Sequence, residues 1–301
     1  MNFWKKFGWG ALGFTPFAAA FIWQIIASFV GIFVYSFYLG IKDAMSGNHT
    51  MYVSQEDMLE GFMSGTPYAI LMVSVYLGYI LIFALWYFFM FCRKKQTGDW
   101  KQLLKPQRIG GIIGMGIALQ FAISMLLTIV LNMLPDLKES YMEVMNALGN
   151  ESILMVICVS ILAPIGEELI FRGVTLKLFK KAMPWQVAII LQGILFGAYH
   201  MNLVQGIYAA VLGFILGYIA HRYGSVIPGI LLHMAINSFS YALGYILPES
   251  LEEQTGVMIV IAVVAIAATV GFLFLTLKGV KPTEVITKAA SEVELPNTAT
   301  N

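Results

Sequence analysis

The sequence predicts an all-α, polytopic transmembrane helix bundle. Of its 301 residues, 59% are hydrophobic and 12% are charged, and the mean hydropathy is +0.78. A soluble globular domain has roughly a quarter of its residues charged, so the composition excludes that class of protein. A helix that crosses a bilayer needs about 20 consecutive apolar residues, and the chain contains about eight runs of that length.

The predicted spans follow one another with short connections, and we expect a single transmembrane domain over 1–282. The spans cover 14–41, 68–92, 109–134, 152–171, 186–203, 204–222, 226–247 and 256–277. The first run is too long for a signal-peptide core and lacks a cleavage site of small residues, so we expect it to be retained. The tail 283–301 is polar without an apolar period, which predicts disorder.

Charges in the connections predict the orientation of the bundle. Basic residues precede span one, separate spans two and three, and follow spans four, six and eight, whereas acidic residues dominate the alternate connections. Cytoplasmic connections are rich in lysine and arginine, so we expect both termini to be cytoplasmic. We expect a multi-pass protein of a bacterial plasma membrane, in contact with the lipid bilayer and with no nucleic-acid partner.

Small residues and one proline predict local helix geometry. Pro164 lies inside span four, where it should free a backbone carbonyl and bend the helix. With Gly166 beside it, we expect the backbone to open just before residue 167. Glycine pairs at four-residue spacing predict close helix packing at Gly110/Gly114, Gly193/Gly197 and Gly213/Gly217.

Two adjacent glutamates, Glu167 and Glu168, lie in the apolar run 152–171, and Arg172 follows them. Ionisable residues are costly in hydrocarbon, so they usually face a protein interior or a wet cavity and mark function. Positions i and i+4 share a helix face, which places Glu168 to pair with Arg172 and leaves Glu167 without a ready partner. The alternative is a buried charge network that only holds helices together.

Two histidines and one asparagine lie in the spans that follow. His200 is four residues after Phe196, and Asn237 is four residues after His233, so each pair shares one helix face. Either histidine alone would most simply be a hydrogen-bonded core residue. Together with the spare carboxylate of Glu167 they indicate a hydrolytic site, since peptide hydrolysis needs a base and donors for the oxyanion.

Other hydrolytic motifs do not occur in the sequence. It has no GxSxG, no HExxH and no aspartate pair at suitable positions. These absences remove serine, aspartyl and HExxH zinc chemistry as simple alternatives.

Three segments together resemble the motifs of the CPBP intramembrane proteases, the group of type II CAAX prenyl endopeptidases and bacteriocin-processing (Abi) enzymes. The family motifs EExxxR, FxxxH and HxxxN are matched by Glu167-Glu168-Leu-Ile-Phe-Arg172, Phe196-Gly-Ala-Tyr-His200 and His233-Met-Ala-Ile-Asn237. The resemblance covers about 150–245, which we expect to be a protease core.

The resemblance implies an intramembrane endopeptidase that hydrolyses a peptide bond of a membrane-associated protein or peptide. It implies that Glu167 and His200 activate the attacking water, while His233 and Asn237 position it or form the oxyanion site. The supporting residues would be Glu168, Arg172 and Phe196.

The sequence leaves the cofactor open, since the family has been described both as metal-dependent and as glutamate-dependent without a metal. Glu167, His200 and His233 could hold a divalent metal such as zinc with an open position for water. A different base would then be needed, and Glu168 is the nearby candidate. We favour the metal-free interpretation.

The depth of one residue sets a condition on this interpretation. At a rise of roughly 1.5 Å per residue, His200 is about 22 Å from Trp185 at the start of its span. Glu167 and His233 lie nearer the cytoplasmic ends of theirs. We therefore expect span five to tilt or to protrude into the cytoplasm.

Two other classes of function compete with a protease. A non-catalytic membrane scaffold or regulator of a signalling partner would be favoured by a lost motif residue, and every motif position is intact. A small-solute or proton transporter also uses intramembrane carboxylates. Transporters often have matching halves with broken helices, which this sequence does not clearly show.

Overall fold

Helices form all the regular structure in the part of the chain that is described. The structure is a computed structural model that describes residues 2–46, 54–63, 65–148 and 152–280. Its regular elements are α-, π- and 3-10 helices, which confirms the all-α prediction. The predicted disordered tail 283–301 lies outside the described residues.

Each predicted span coincides with a helix. The α-helices in chain order are α1 Phe3–Ser46, α2 Gln55–Met63, α3 Thr66–Tyr87, α4 Pro106–Met133, α5 Pro135–Leu148, α6 Ile153–Ala182, α7 Trp185–Tyr199, α8 Leu203–Tyr223, α9 Ile227–Ile246 and α10 Thr255–Leu277. Phe88–Cys92 extends α3 as a π turn, and the 3-10 turns Trp100–Leu104 and Glu249–Glu253 precede α4 and α10. Helices α2 and α5 are too polar to have been predicted as spans.

Six helices in the described ranges are long and apolar enough to cross a membrane: α1, α3 with its π turn, α4, α6, α8 and α10. The chain is therefore an integral multi-pass membrane protein. Helix α7 has 15 residues, which corresponds to about 22 Å and is shorter than the hydrocarbon core. Helix α9 is not among the six, so eight crossings and the orientation stay predictions.

Helix α6 is the central helix of the bundle. It contacts α1, α3, α7, α8 and α9. Of its most apolar stretch 56% is buried inside the protein, compared with 6% for α1. Glu167, Glu168 and Arg172 of α6 therefore face protein, while much of α1 is left to face lipid.

Glycines bring α7 and α8 into close contact. A Cβ atom at Gly213 would lie 2.8 Å from the Cα of Gly193, and one at Gly197 would overlap the carbonyl of Gly206. A side chain at Gly217 would collide with Gln192. Both predicted glycine pairs in these helices are confirmed as packing positions.

In the third glycine pair Gly114 is confirmed as a packing position, and Gly110 is wrong. Gly114 and Gly111 lie against α10, where added side chains would meet Phe272 and Thr276. Gly110 has open space around it. The contact surface of α4 is set by its rotation in the bundle, and the four-residue spacing did not reveal that rotation.

Two π-helical segments interrupt α6 on either side of the glutamates. They span Cys158–Leu162 and Leu169–Thr175, and Glu167 and Glu168 lie in the α-helical segment between them. The N–H of Ala163 donates to the carbonyl of Cys158, five residues back. The π segment ends just before Pro164, and the helix continues through the proline as α-helix, whereas the sequence predicted an open backbone at this point.

Candidate active site

The charged residues of α6 form a buried ion pair and a neighbouring carboxylate. Glu167, Glu168 and Arg172 are 5%, 0% and 1% exposed. Arg172 Nη1 donates to Glu168 Oε1 over 2.6 Å, so the predicted i, i+4 pairing is confirmed. A buried charge is tolerated when it is paired and hydrogen-bonded, and Glu168 and Arg172 meet that condition for each other.

Arg172 is also held by α7 and α8. Its Nη2 donates to the carbonyl of Gly213 over 3.3 Å, and Gln192 Nε2 donates to the same carbonyl over 2.7 Å. The guanidinium carbon lies 4.3 Å from the centre of the Phe196 ring, within the range of a cation–π contact. Phe196, the first residue of the second motif, thus packs directly against the ion pair.

His233 of α9 lies between the two carboxylates. Its Nδ1 is 3.2 Å from Glu168 Oε1, and its Nε2 is 3.8 Å from Glu167 Oε2. An ionised carboxylate only accepts hydrogen bonds, so the contact with Glu168 places a proton on Nδ1 and directs Nε2 toward Glu167. The 3.8 Å separation is too long for a direct hydrogen bond.

Gly229 makes room for the carboxylate of Glu168. It lies one turn before His233 on α9, and a Cβ atom there would come within 2.5 Å of Glu168 Oε2. In the described part of the chain this buried oxygen has no hydrogen-bond partner. The sequence did not single out Gly229, because only the packing of α9 on α6 shows what it touches.

His200 ends α7 beside this cluster. Its Nδ1 is 2.8 Å from the carbonyl of Phe196, so Nδ1 carries the proton and Nε2 is the nitrogen that remains for other partners. Its ring is 5.0 Å from the Phe196 ring, which lies 5.8 Å from the ring of His233. Within the described ranges no hydrogen bond or ion pair joins His200 to Glu167 or Glu168.

Asn237 is bound to the backbone of α6. Its Nδ2 donates to the carbonyl of Val159 over 2.9 Å. This carbonyl would accept from Ala163 in an α-helix and from Pro164 in a π-helix, but Ala163 bonds to Cys158 and proline has no N–H. Asn237 thus satisfies the carbonyl that Pro164 leaves free, and one of its two amide hydrogens is in use.

The predicted zinc ligands do not form a metal site here. Among the residues described, no group of three or more His, Cys, Asp or Glu side chains is placed to hold a metal ion. Glu167 and His233 face each other, but His200, whose Nε2 is left free by the bond of Nδ1 to Phe196, is not grouped with them. As they are placed, these three side chains do not form a zinc site, and a metal held by them stays the alternative prediction.

Sequence reasoning missed Tyr76 of α3, which contacts the proposed base directly. Its hydroxyl donates to Glu167 Oε1 over 3.0 Å. The available signal was a pair of hydroxyls, Tyr76 and Tyr79, nearly one turn apart in an apolar span. Tyrosines are common in membrane helices, so that signal does not identify a partner.

Residues 149–239 match the model of a protein family described as type II CAAX prenyl endopeptidase, Rce1-like. The matched segment contains all three motifs and extends from the start of α6 into α9. The match confirms the resemblance to the CPBP intramembrane proteases. Comparisons with curated proteins and with solved structures found no match.

Proposed function

We propose, from the premise that residues 149–239 form an Rce1-like domain of the CPBP family, that this membrane protein is an intramembrane endopeptidase. In this proposal Glu167 is the base that activates the attacking water. The observation that supports it best is the unequal surroundings of two adjacent buried carboxylates.

Glu168 is engaged on the side of the ion pair. Its Oε1 accepts from both Arg172 and His233, so its negative charge is neutralised and held in place. Glu167 accepts from the neutral hydroxyl of Tyr76 and turns its second oxygen toward His233. A general base needs a free oxygen within reach of the proton it removes. The unbonded Oε2 of Glu168 is enclosed against Gly229, whereas Oε2 of Glu167 faces His233 across a 3.8 Å gap.

The proposed reaction consumes one water and one peptide bond. Water gives a proton to Glu167 Oε2 as its oxygen attacks the carbonyl carbon of the substrate. The tetrahedral intermediate then collapses, the C–N bond breaks, and Glu167 returns the proton to the leaving amine nitrogen. His200 is proposed to help orient the water through its Nε2.

His233 and Asn237 are the proposed donors to the oxyanion. In the doubly protonated ring of His233, Nδ1 donates to Glu168 while Nε2 donates to the developing negative charge. Asn237 keeps one amide hydrogen beyond its bond to Val159.

The substrate, the orientation and the host are part of the same proposal. The substrate is a membrane-delivered protein or peptide, and the site opens toward the cytoplasmic face of a bacterial plasma membrane. Basic residues in the connections that follow α3 and α6 support this orientation. We keep eight crossings and cytoplasmic termini as the proposed topology.

Glu167→Gln tests the base, because it keeps the size of the side chain and removes the ability to take a proton. Wild type and variant are reconstituted in liposomes with labelled membrane peptides, both prenylated and unprenylated. Loss of a general base lowers kcat by about 100-fold or more. Glu252→Gln is the matched control, since Glu252 lies in an exposed pair with Lys138. This variant should cleave the peptides like wild type.

Three outcomes would change the proposal. Unchanged cleavage by Glu167→Gln would remove Glu167 as the base. Loss of wild-type cleavage with a chelator, restored by zinc, would show that a metal acts in the reaction. A wild-type protein that cleaves none of the peptides would favour the non-catalytic scaffold.

A further inference from the structure

We propose that Tyr76 is a positioning residue for Glu167, holding one oxygen of its carboxylate so that the other faces the reacting water. The inference rests on the proposed role of Glu167 as the base. It adds a residue from α3 to a site whose other members all lie on α6 to α9.

The contact distinguishes the two oxygens of one carboxylate. Tyr76 donates to Oε1 over 3.0 Å, while Oε2 lies 3.8 Å from Nε2 of His233. The last torsion of a glutamate side chain is broad and nearly two-fold, so an unrestrained carboxylate rotates readily. A hydrogen bond to Oε1 restricts that rotation and keeps Oε2 on the side of His233.

Gly166 explains how α3 comes close enough to make this bond. A Cβ atom at Gly166 would lie 3.2 Å from Cβ of Tyr79 and 3.4 Å from Cδ1 of Tyr76. A Cβ atom there would require Tyr79 to shift slightly, and a longer side chain would need more room than α3 leaves beside Glu167. The glycine before the two glutamates therefore serves the approach of α3, an explanation that the sequence alone did not provide.

A second set of contacts fixes the ring of Tyr76 without touching Glu167. The rings of Tyr76 and Tyr79 pack edge to face, 5.6 Å apart. Tyr79 donates to the carbonyl of Ala20 on α1 over 3.1 Å and accepts from Tyr199 on α7 over 2.9 Å. Helices α1 and α7 thus anchor Tyr79, and Tyr79 supports the ring that reaches Glu167.

Tyr76→Phe removes the hydroxyl and keeps the ring, so it tests position rather than packing. A small loss of alignment in a reacting group can lower the rate by up to about 100-fold. We expect kcat to fall about 10-fold or more while KM stays within about twofold, because the substrate does not depend on this bond for binding. The matched control is Tyr68→Phe, the same change on the same helix at a ring that packs on Phe62.

An infrared measurement tests the bond without using activity. The difference spectrum between wild type and Glu167→Gln isolates the carboxylate stretch of Glu167. The same difference taken in the Tyr76→Phe background should show that band shifted, because the carboxylate has lost a hydrogen bond. The Tyr68→Phe background should leave the band where it is in wild type.

The outcomes separate this inference from the proposed function. An unshifted band, or a kcat equal to that of wild type, would overturn the role of Tyr76 and leave Glu167 as the base. The role of Tyr76 would also be overturned if a rise in KM or a loss of folded protein accounted for the whole decrease in activity, since the role would then be structural. If Glu167→Gln cleaves like wild type, both proposals fail, whatever the band shows.

Discussion

Glu167 and Glu168 show how two identical neighbours acquire different chemistry. One hundred degrees of helix rotation separates a carboxylate bonded to Arg172 from one that meets Tyr76 and faces His233. Glu168 stabilises the buried guanidinium and fixes the histidine. Each carboxylate keeps one oxygen without a hydrogen bond in the described residues, but that of Glu168 is enclosed against Gly229 and that of Glu167 faces His233.

The ion pair should matter for stability as well as for geometry. Glu168→Gln removes the charge opposite Arg172 and leaves a buried guanidinium without its counter-ion. Breaking a buried pair on one side typically costs about 3–5 kcal/mol, and we expect a loss of that size in the free energy of unfolding. The measurement is equilibrium unfolding in mixed detergent micelles.

Glu252→Gln is the comparison for that measurement. It breaks the Lys138–Glu252 pair, whose side chains are 39% and 59% exposed. Exposed pairs contribute about 0–1 kcal/mol, so the control should stay close to wild type. Equal losses in the two variants would show that the pair of Glu168 and Arg172 gives no special stabilisation.

At the scale of elements, Pro164 and the π segment Cys158–Leu162 of α6 explain why Asn237 bonds to this helix. The proline and the π hydrogen bond of Ala163 leave the Val159 carbonyl without a helical donor, and Asn237 supplies one from α9. The third motif therefore ends on a residue that fastens α9 to the helix bearing the glutamates. Its side chain has a structural bond as well as its proposed role at the oxyanion.

A double-mutant cycle should detect this connection. Asn237→Leu leaves the Val159 carbonyl unsatisfied and should cost about 1–3 kcal/mol of unfolding free energy. Pro164→Ala restores an N–H to α6 and allows the helix to satisfy its own carbonyls. We therefore expect Asn237→Leu to cost less in the Pro164→Ala background, with unfolding in micelles as the measurement. Additive losses would mean that the proline and the asparagine act independently.

At the scale of the whole molecule, five helices of the bundle, α1, α3, α7, α8 and α9, pack around α6. Glu167, Glu168 and Arg172 are on α6, the most enclosed of the six candidate spans, whereas α1 is mostly exposed. Enclosure by protein lets charged residues sit at membrane depth, because neighbouring helices supply the hydrogen bonds that lipid cannot.

The proposed orientation can be tested with single cysteines. After Cys92 and Cys158 are replaced by alanine, Glu139→Cys and Lys101→Cys place exposed thiols in connections of opposite predicted side. In intact bacterial cells a membrane-impermeant maleimide should label residue 139 and not residue 101. Permeabilised cells should give labelling of both, and the reverse pattern in intact cells would invert the topology.

The sequence by itself determined the features that depend on contacts within one helix. Composition and run length predicted the membrane class and the position of every long helix. The i, i+4 rule predicted the pair of Glu168 and Arg172, and three ordered motifs predicted the family model that residues 149–239 match. Each of these depends on spacing along one chain segment, which the periodicity of a helix translates directly into a face.

The tertiary structure decided everything that depends on how helices are rotated and set in depth against one another. That holds for His233 between the two carboxylates, for Asn237 on the Val159 carbonyl, for Tyr76 on Glu167 and for His200 on its own helix. It also showed that Gly111, and not the predicted Gly110, packs against α10 together with Gly114. Packing of the complete bundle sets those rotations, and no spacing within a single span contains them.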